Sequence, residues 1–149
     1  MAIRTGEAVW RGDLTGGEGR LKYGRKPVEQ PYSFTSRFED GTGTNPEELI
    51  AAAHAACFSM ALSHALSEAG HPPEQVRTVA KVHLEKTKTG FSIPRIELQT
   101  TAEVPGIEER DFQQRAKEAK ENCPVSRLLA GAKISLDAKL AEPSPLGTA

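Results

Sequence analysis

The first third of the chain has the hydrophobic pattern of short strands separated by turns. GEAVWRG and RLKYG both have extended character, and the turn-forming DLTGGEG between them predicts an N-terminal hairpin. RKPVEQP, residues 25–31, carries two prolines and is predicted to be a connection. PYSFTSRFE, residues 31–39, alternates again and predicts a half-buried strand with Arg37 on its polar side.

The clearest helix begins after DGTGTN. Asn45 is a natural N-cap, Pro46 suits the first helical position, and Glu48 completes a capping-box spacing. Gly70, followed by two prolines, is predicted to end the helix. The buried stripe is predicted to comprise Leu49, Ile50, Ala53, Ala56, Cys57, Met60 and Ala61. Alanines make several turns nearly apolar all round, so we expect the helix to be enclosed on most sides.

Two alternating segments follow this helix and predict a strand pair. VRTVAKVHLEKT (76–87) and FSIPRIELQTTAEV (91–104) are joined by a short turn. One face of the second strand is predicted to carry Ile96, Leu98, Thr100, Ala102 and Val104.

The last segments predict two helices, a strand and a tail. Residues 107–121 form an amphipathic helix pattern, and Pro124 opens a short helix directly after Cys123. The strand AKISLDAKLA precedes a proline-rich tail, residues 142–149, that is expected to be frayed. The order β-β-β-α-β-β-α-α-β lacks regular βαβ units, which predicts an α+β fold.

Composition narrows the class of protein. With 149 residues and 38% hydrophobic content, we expect a single domain over residues 1–149. Lysine plus arginine number 19 against 20 acidic residues, so the formal charge of −1 argues against a nucleic-acid or anionic-membrane surface. The first residues have no apolar signal region, and no uninterrupted apolar run approaches the roughly 20 residues of a membrane span. We therefore expect a soluble, cytoplasmic protein.

The two cysteines are the candidate chemical groups. Two are too few for a secreted disulfide framework, so a disulfide between them would be transient, as in a redox device. Cys57 alone is more simply explained as a small buried hydrophobe on an apolar helix. Cys123 precedes a predicted helix, whose N-terminal N–H groups favour a thiolate, although it is also simply the residue before a proline. The sequence has no CxxC motif, which excludes thioredoxin-like exchange.

A metal site is a weaker alternative. His54, Cys57, His64 and Cys123 supply nitrogen and sulfur ligands, and His54 and Cys57 have an i, i+3 spacing. However, His54 and His64 lie about 15 Å apart along a straight helix. All four histidines are more simply read as hydrogen-bonded or solvated side chains than as ligands.

Three segments, TNPEELIAAAHAACFSMAL, NCPVSRLL and PYSFTSRFE, resemble the osmotically inducible protein C family, the OsmC branch of the OsmC/Ohr superfamily. The similarity runs over nearly the whole chain. It implies antiparallel sheets wrapped around a long central helix in an intertwined homodimer. It also implies a thiol-dependent peroxidase that reduces organic hydroperoxides. We expect an external dithiol as reductant, whose identity the resemblance does not fix, and we expect no cofactor, nucleic-acid or membrane partner.

The resemblance also assigns roles to four residues. Cys57 matches the peroxidatic cysteine, Cys123 the resolving cysteine, Arg37 the arginine at the reactive sulfur, and Glu47 the carboxylate that holds it. A buried thiol needs a positive neighbour to ionise, and arginine supplies one that also orients a peroxide. Glu47 and Cys57 are ten positions apart, about 15 Å on an unbroken helix. Arg37 must therefore span part of that gap, the first turn must be distorted, or the carboxylate must come from the partner chain.

Ordinary explanations remain for each assignment. Without the family, Arg37 is a solvated strand residue and Glu47 favours a helix N-terminus. An apolar substrate pocket is expected from Phe38, Phe58, Met60 and Phe91, although core packing explains these equally well. Two alternatives to the enzyme stay open: a redox-sensing or ligand-binding dimer whose cysteines signal without turnover, and a structural stress protein with inert thiols.

Overall fold

Two three-stranded sheets and four helices make up residues 2–141, the part of the chain that the computed structural model describes. The α+β class is therefore confirmed. The described residues fall into two compact units that divide between Leu49 and Ile50, within the long helix. The single domain over residues 1–149 stays a prediction, and the expected frayed tail at 142–149 lies outside the described residues.

The first unit contains an antiparallel sheet in the order β1-β2-β3, with β1 at Gly6–Arg11, β2 at Glu18–Tyr23 and β3 at Val28–Tyr32. The predicted N-terminal hairpin is confirmed. The predicted connection over residues 25–31 is wrong, because most of it belongs to β3. This strand lies at a sheet edge, where a proline such as Pro31 is tolerated.

The strand predicted over residues 31–39 is also wrong, because helix α1 occupies Phe34–Phe38. Ser33 caps this helix: its Oγ accepts from the Ser36 N–H at 3.2 Å, and the Ser36 Oγ accepts from the Ser33 N–H at 2.8 Å. The rings of Phe34 and Phe38 lie 4.9 Å apart. Apolar residues at i and i+4 fit a helix as well as an alternating strand, and the serine cap decides between them.

Helix α2 occupies Pro46–Glu68, with both ends as predicted. The Asn45 Oδ1 accepts from the Glu48 N–H at 2.8 Å, which caps the start of the helix. Gly70 has a φ of +85°, and the His71 N–H donates to the Leu66 carbonyl at 2.9 Å. Glycine adopts this left-handed conformation without strain, so the helix ends here.

The predicted buried stripe of α2 is wrong. The fully buried residues are His54, Phe58, Leu62 and Leu66, spaced four apart. On the predicted stripe, Met60 is 75% exposed, Ala53 and Ala56 are exposed, and Leu49, Ile50, Cys57 and Ala61 are partly buried. The expected enclosure on most sides is therefore absent within the described chain. The largest side chains fill the core of the second unit and leave a face of small residues outside.

One helix of the described residues is long and apolar enough to be compared with a membrane span. Helix α2 has 23 residues and a mean hydropathy of 1.5 over an 18-residue window, enough by length and composition to cross a membrane. Only 22% of that window is buried. Core helices of folded domains pass the same test, and several alanines contribute to the high hydropathy.

The second unit contains a sheet in the order β4-β5-β6, with β4 at Gln75–Thr87, β5 at Gly90–Glu103 and β6 at Lys133–Leu140. The predicted positions of all three strands are confirmed. β4 and β5 are antiparallel, but β5 and β6 are parallel, so this sheet is mixed rather than antiparallel as expected. A parallel pair needs a crossover, and helices α3 (Glu109–Asn122) and α4 (Pro124–Leu128) provide it.

The core of the second unit lies where α2 and α3 meet this sheet. The predicted inner face of β5 is confirmed, since Ile96, Leu98, Thr100, Ala102 and Val104 are all buried. The same core cluster contains Phe58 and Leu62 of α2, Phe112 and Ala116 of α3, and Cys123. Cys123 is thus fixed within the packed interior of the unit.

Candidate active site

The two cysteines meet inside the second unit. Cys57 lies midway along α2, and Cys123 lies between α3 and α4. Their Sγ atoms are 3.1 Å apart, and both are free thiols. Cys123 is fully buried, whereas Cys57 is partly exposed. Cys57, which reaches solvent, is therefore the thiol expected to meet a substrate, and the buried Cys123 thiol is in direct contact with it.

Burial and the polar groups at the start of α4 act in opposite directions on the pKa values of the two thiols. Burial raises the pKa of the Cys57 thiol, although the Val125 N–H donates to its sulfur and opposes that rise. Burial also acts to raise the pKa of Cys123, but donors from Ser126, Cys57 and Val125 outweigh it, and the pKa of this thiol is lowered. This agrees with the expectation that the start of a helix favours a thiolate at Cys123. Because the two thiols interact, they titrate as a pair.

A buried histidine continues this group of polar side chains. His54 lies one turn before Cys57 on α2 and is 0% exposed. Its Nε2 lies 2.7 Å from the Oγ of Ser126, which follows Cys123 by three residues in α4. Burial lowers the pKa of the imidazole, which favours its neutral form. Sequence reasoning missed Ser126 and Val125, although both follow Cys123 within the first turn of the predicted short helix.

Arg37 and Glu47 form an ion pair in the first unit. The Arg37 Nε donates to the Glu47 carboxylate at 3.0 and 3.3 Å, and Nη2 donates to Oε1 at 2.8 Å. Glu47 is buried in the first turn of α2, while the side chain of Arg37 is 36% exposed. The paired nitrogens lie along one edge of the guanidinium, and no described residue accepts from Nη1. The arginine is thus aimed by the carboxylate and keeps donors for another group.

The position of Arg37 differs from the prediction. It lies in the last turn of α1, not on the polar side of a strand, because the helix replaces that strand. Its guanidinium carbon is 5.1 Å from the centre of the Phe38 ring. The four predicted site residues therefore form two contacting pairs, one within each unit.

The remaining candidates from the sequence are the predicted metal ligands and the predicted residues of a substrate pocket. Within residues 2–141, no group of three or more His, Cys, Asp or Glu side chains is arranged to hold a metal ion. His64 lies 4.0 Å from Glu68, and His83 lies 2.6 Å from Glu97. Phe58 is fully buried in the core, so the prediction that it lines a substrate pocket is wrong.

The sequence profile of the OsmC-like protein family matches residues 39–139, a stretch that includes both cysteines and Glu47. The chain belongs to the OsmC-like protein family. It is 48% identical over 138 residues to the peroxiredoxin OsmC of Escherichia coli, covering 92% of this chain and 96% of that protein. It is also 33% identical over 121 residues to an organic hydroperoxide resistance protein of Xanthomonas axonopodis, covering 78% of this chain and 83% of that protein.

Solved structures of the family share this architecture. The organic hydroperoxide resistance protein OhrB of Bacillus subtilis matches with a TM-score of 0.66 and 25% identity, over 94% of this chain and all of that chain. The OsmC-like fold implied by the sequence motifs is therefore confirmed. The comparison extends over almost the whole chain, although the family profile begins at Glu39, just after Arg37.

Proposed function

We propose that this protein is a thiol-dependent peroxidase that reduces organic hydroperoxides to alcohols. The observation that carries the proposal is the 3.1 Å contact between two free thiols, one partly exposed and one buried behind it. Relatives named peroxiredoxin and organic hydroperoxide resistance protein support it. Such a pair can form first a sulfenic acid and then an intramolecular disulfide that is reduced again. Neither an inert core cysteine nor a lone thiol can form that disulfide.

The proposed cycle begins at Cys57. Its thiolate attacks the distal oxygen of the hydroperoxide, the O–O bond breaks, and the alkoxide leaves as an alcohol after taking a proton. The sulfur of Cys57 is then a sulfenic acid. Cys123 attacks this sulfur, the S–O bond breaks, and water leaves as the Cys57–Cys123 disulfide forms. An external dithiol reduces the disulfide, and no cofactor takes part. A reducing compartment such as the cytoplasm supplies the thiols that this last step needs.

Arg37 and Glu47 complete the proposed site. Because burial raises the pKa of Cys57, a thiolate there needs a cation, and Arg37 is the proposed source. Glu47 holds the guanidinium along one edge, so the other edge serves the thiolate and the departing alkoxide. The arginine and carboxylate act either on the thiol of their own chain or on that of a partner.

A homodimer is the proposed assembly. Helix α2 exposes Ala52, Ala53, Ala56 and Met60 on one face, and Met60 is 75% exposed. A second copy of the chain would cover this face with the same face of its own α2, as in a two-fold interface. A Met60→Glu variant should then elute as a monomer in size-exclusion chromatography where the wild type elutes as a dimer. A wild type that elutes as a monomer would contradict this assembly.

The test of the function is consumption of cumene hydroperoxide with dithiothreitol as reductant. We expect the wild type to turn over repeatedly and Cys57→Ser to be inactive, since it lacks the attacking sulfur. Cys123→Ser should complete a first, stoichiometric oxidation and then recycle slowly, because its sulfenic acid has no internal thiol to resolve it. Oxidation of the wild type that stops at one equivalent despite excess dithiol would instead indicate a sensor, and unreactive thiols would indicate a structural role.

A further inference from the structure

We propose that His54 and Ser126 form a positioning pair whose hydrogen bond joins α4 to α2 and so holds the Cys123 sulfur in place for disulfide formation with Cys57. The proposed cycle brings neither residue into contact with the hydroperoxide, so neither is a catalytic residue. The inference deepens the peroxidase function proposed above and rests on it.

The positioning pair lies one helical turn away from the two cysteines. His54 precedes Cys57 by three residues in α2, and Ser126 follows Cys123 by three residues at the start of α4. The His54 Nε2 lies 2.7 Å from the Ser126 Oγ, and the two sulfurs lie 3.1 Å apart. Residues three apart on a helix share a face, so two neighbouring side-chain contacts join α2 to the start of α4.

Cys123 is held by the backbone of two helices. Its N–H donates to the Ala119 carbonyl of α3 at 2.9 Å, and its carbonyl accepts from the Arg127 N–H of α4 at 3.0 Å. Helix α3 buries apolar side chains in the core cluster, whereas the one buried residue of α4 is Ser126. A helix of five residues is too short to be stable without tertiary contacts, so the position of α4 depends on how Ser126 is held.

The contact between Ser126 and His54 is buried on both sides. The His54 side chain is 0% exposed, and Ser126 is 5% exposed. The other imidazole nitrogen, Nδ1, is also buried and has no hydrogen-bond partner among residues 2–141. If α4 moved away from α2, both members of the pair would become buried polar groups without a partner, which costs more free energy than a typical hydrogen bond gains. Small displacements of α4 are therefore unfavourable.

The apolar side chains of α4 do not fix its position in the same way. Val125 is partly buried and packs against the core cluster, whereas Leu128 is 80% exposed. Apolar attraction is non-directional, but a hydrogen bond requires a narrow range of distance and angle. The positioning pair therefore fixes the orientation of α4, whose first turn begins at Cys123.

The step affected is closure of the disulfide. The two sulfurs have to approach from 3.1 Å to about 2.05 Å. The Cys123 sulfur supplies the electron pair for the new S–S bond, the S–O bond of the Cys57 sulfenic acid breaks, and hydroxide leaves as water with the proton that Cys123 releases. The fraction of time that the two groups spend in contact acts as an effective concentration, which sets the rate of closure and the stability of the disulfide.

The first experiment measures the stability of the disulfide and needs no peroxidase activity. The protein is equilibrated with mixtures of oxidised and reduced dithiothreitol, and the disulfide fraction is measured by alkylation and mass spectrometry. We expect Ser126→Ala and His54→Leu each to lower the equilibrium constant for the disulfide about tenfold, which raises its two-electron reduction potential by about 30 mV. The double variant should move little further, because both single variants remove the same hydrogen bond. Ser126→Thr, which keeps a hydroxyl, should stay close to the wild type.

Ser59→Ala is the matched control for these variants. The Ser59 Oγ donates to the Thr78 Oγ1 at 2.8 Å and joins α2 to β4 instead of α4. This variant should lower the free energy of unfolding in urea and leave the reduction potential unchanged. Unchanged potentials in both Ser126→Ala and His54→Leu would overturn the proposal. An equal rise in Ser59→Ala would also overturn it, because general loosening of the core would then explain the effect.

The second experiment follows disulfide closure after one equivalent of cumene hydroperoxide. We expect Ser126→Ala to leave the rate of sulfenic acid formation on Cys57 unchanged and to slow closure about tenfold, with Ser126→Thr and Ser59→Ala close to the wild type. Equal slowing of both steps in Ser126→Ala would contradict the positioning role, because Cys123 takes part only in closure. Absence of any oxidation by the hydroperoxide would refute the peroxidase function alone, since the dithiothreitol equilibrium still tests the positioning pair.

Discussion

The two units hold their central ionisable groups in opposite ways. In the first, the Arg37 guanidinium is matched by the Glu47 carboxylate through contacts of 2.8 to 3.3 Å. In the second, the Cys57 thiol is buried beside another thiol, and its pKa is raised. The positive charge of Arg37 is thus balanced by Glu47, whereas burial disfavours ionisation of the Cys57 thiol. Burial thus opposes a thiolate at Cys57, and the function proposed above assigns the compensating positive charge to Arg37.

Removing the positive charge of Arg37 should have the largest effect on the rate of Cys57 oxidation. In Arg37→Ala, we expect the second-order rate of Cys57 oxidation by cumene hydroperoxide to fall about 100-fold at pH 7, because both thiolate and alkoxide lose their positive neighbour. The pH profile should also shift upward. Stopped-flow measurement of single-turnover oxidation checks both. Arg20→Ala, which removes an exposed arginine paired with Glu29 at 2.7 Å, should react like the wild type.

The same variant also shows which chain supplies the arginine. Arg37→Ala and Cys57→Ser subunits are unfolded together and refolded as a mixture, so that mixed dimers form. If Arg37 acts across the dimer, a mixed dimer contains one complete site and activity returns. If it acts within its own chain, the mixture stays inactive, which excludes a site shared between the two subunits.

Removing the partner of the cation should have a smaller effect. In Glu47→Gln, the guanidinium keeps its charge but loses the carboxylate that orients it, so we expect the oxidation rate to fall about tenfold. Peroxide titrations at constant enzyme concentration measure this rate. Glu29→Gln, at the exposed pair with Arg20, is the matched control. A faster reaction in Glu47→Gln would show that the carboxylate only offsets the charge of Arg37.

The smallest expected effect concerns His54, another titratable side chain of the second unit whose pKa is shifted by burial. Burial lowers the pKa of His54, so the folded chain resists a proton that the unfolded chain takes up near pH 6.5. Its contribution to stability is present above that pH and is lost as the pH falls toward the folded pKa. We expect the free energy of unfolding in urea to decrease by up to about 1.4 kcal/mol per pH unit below 6.5.

Matched variants isolate this contribution. His54→Leu should lose less of its stability between pH 7.5 and pH 5.5 than the wild type, because the leucine takes up no proton in either state. His64→Gln, at a side chain that is 77% exposed, should lose as much as the wild type. Equal losses in all three proteins would show that the imidazole is protonated as easily in the folded chain as in the unfolded one.

The accuracy of sequence-based prediction also differs between the units. The alternation of β5 places its inner face correctly because every second residue is apolar or small over a long strand. In the first unit, Phe34 and Phe38 satisfy both periods, and the Ser33 cap that selects a helix was overlooked. On α2, nearly every face is apolar, so spacing alone did not show that the large side chains, rather than the alanines, face the core.

The candidate site was predictable in residue type but not in geometry. Cys57 and Cys123 are 66 residues apart in sequence, and only the tertiary fold brings their sulfurs to within 3.1 Å. Local pattern reveals neither that contact nor the hydrogen bond between His54 and Ser126. The pairing of Arg37 with Glu47 was implied by family resemblance, although the arginine was assigned to the wrong kind of element.

The parallel return of β6 beside β5 has a thermal consequence. The crossover between these strands carries Cys123, so a covalent link to Cys57 would anchor that crossover to α2 and close a loop of 66 residues. Chain-entropy arguments assign such a closure about 4 kcal/mol. For a chain of this size, that corresponds to roughly 10 °C in melting temperature. Calorimetry would then distinguish the disulfide form from the dithiol form by melting temperature and would measure the fraction of the protein in each form.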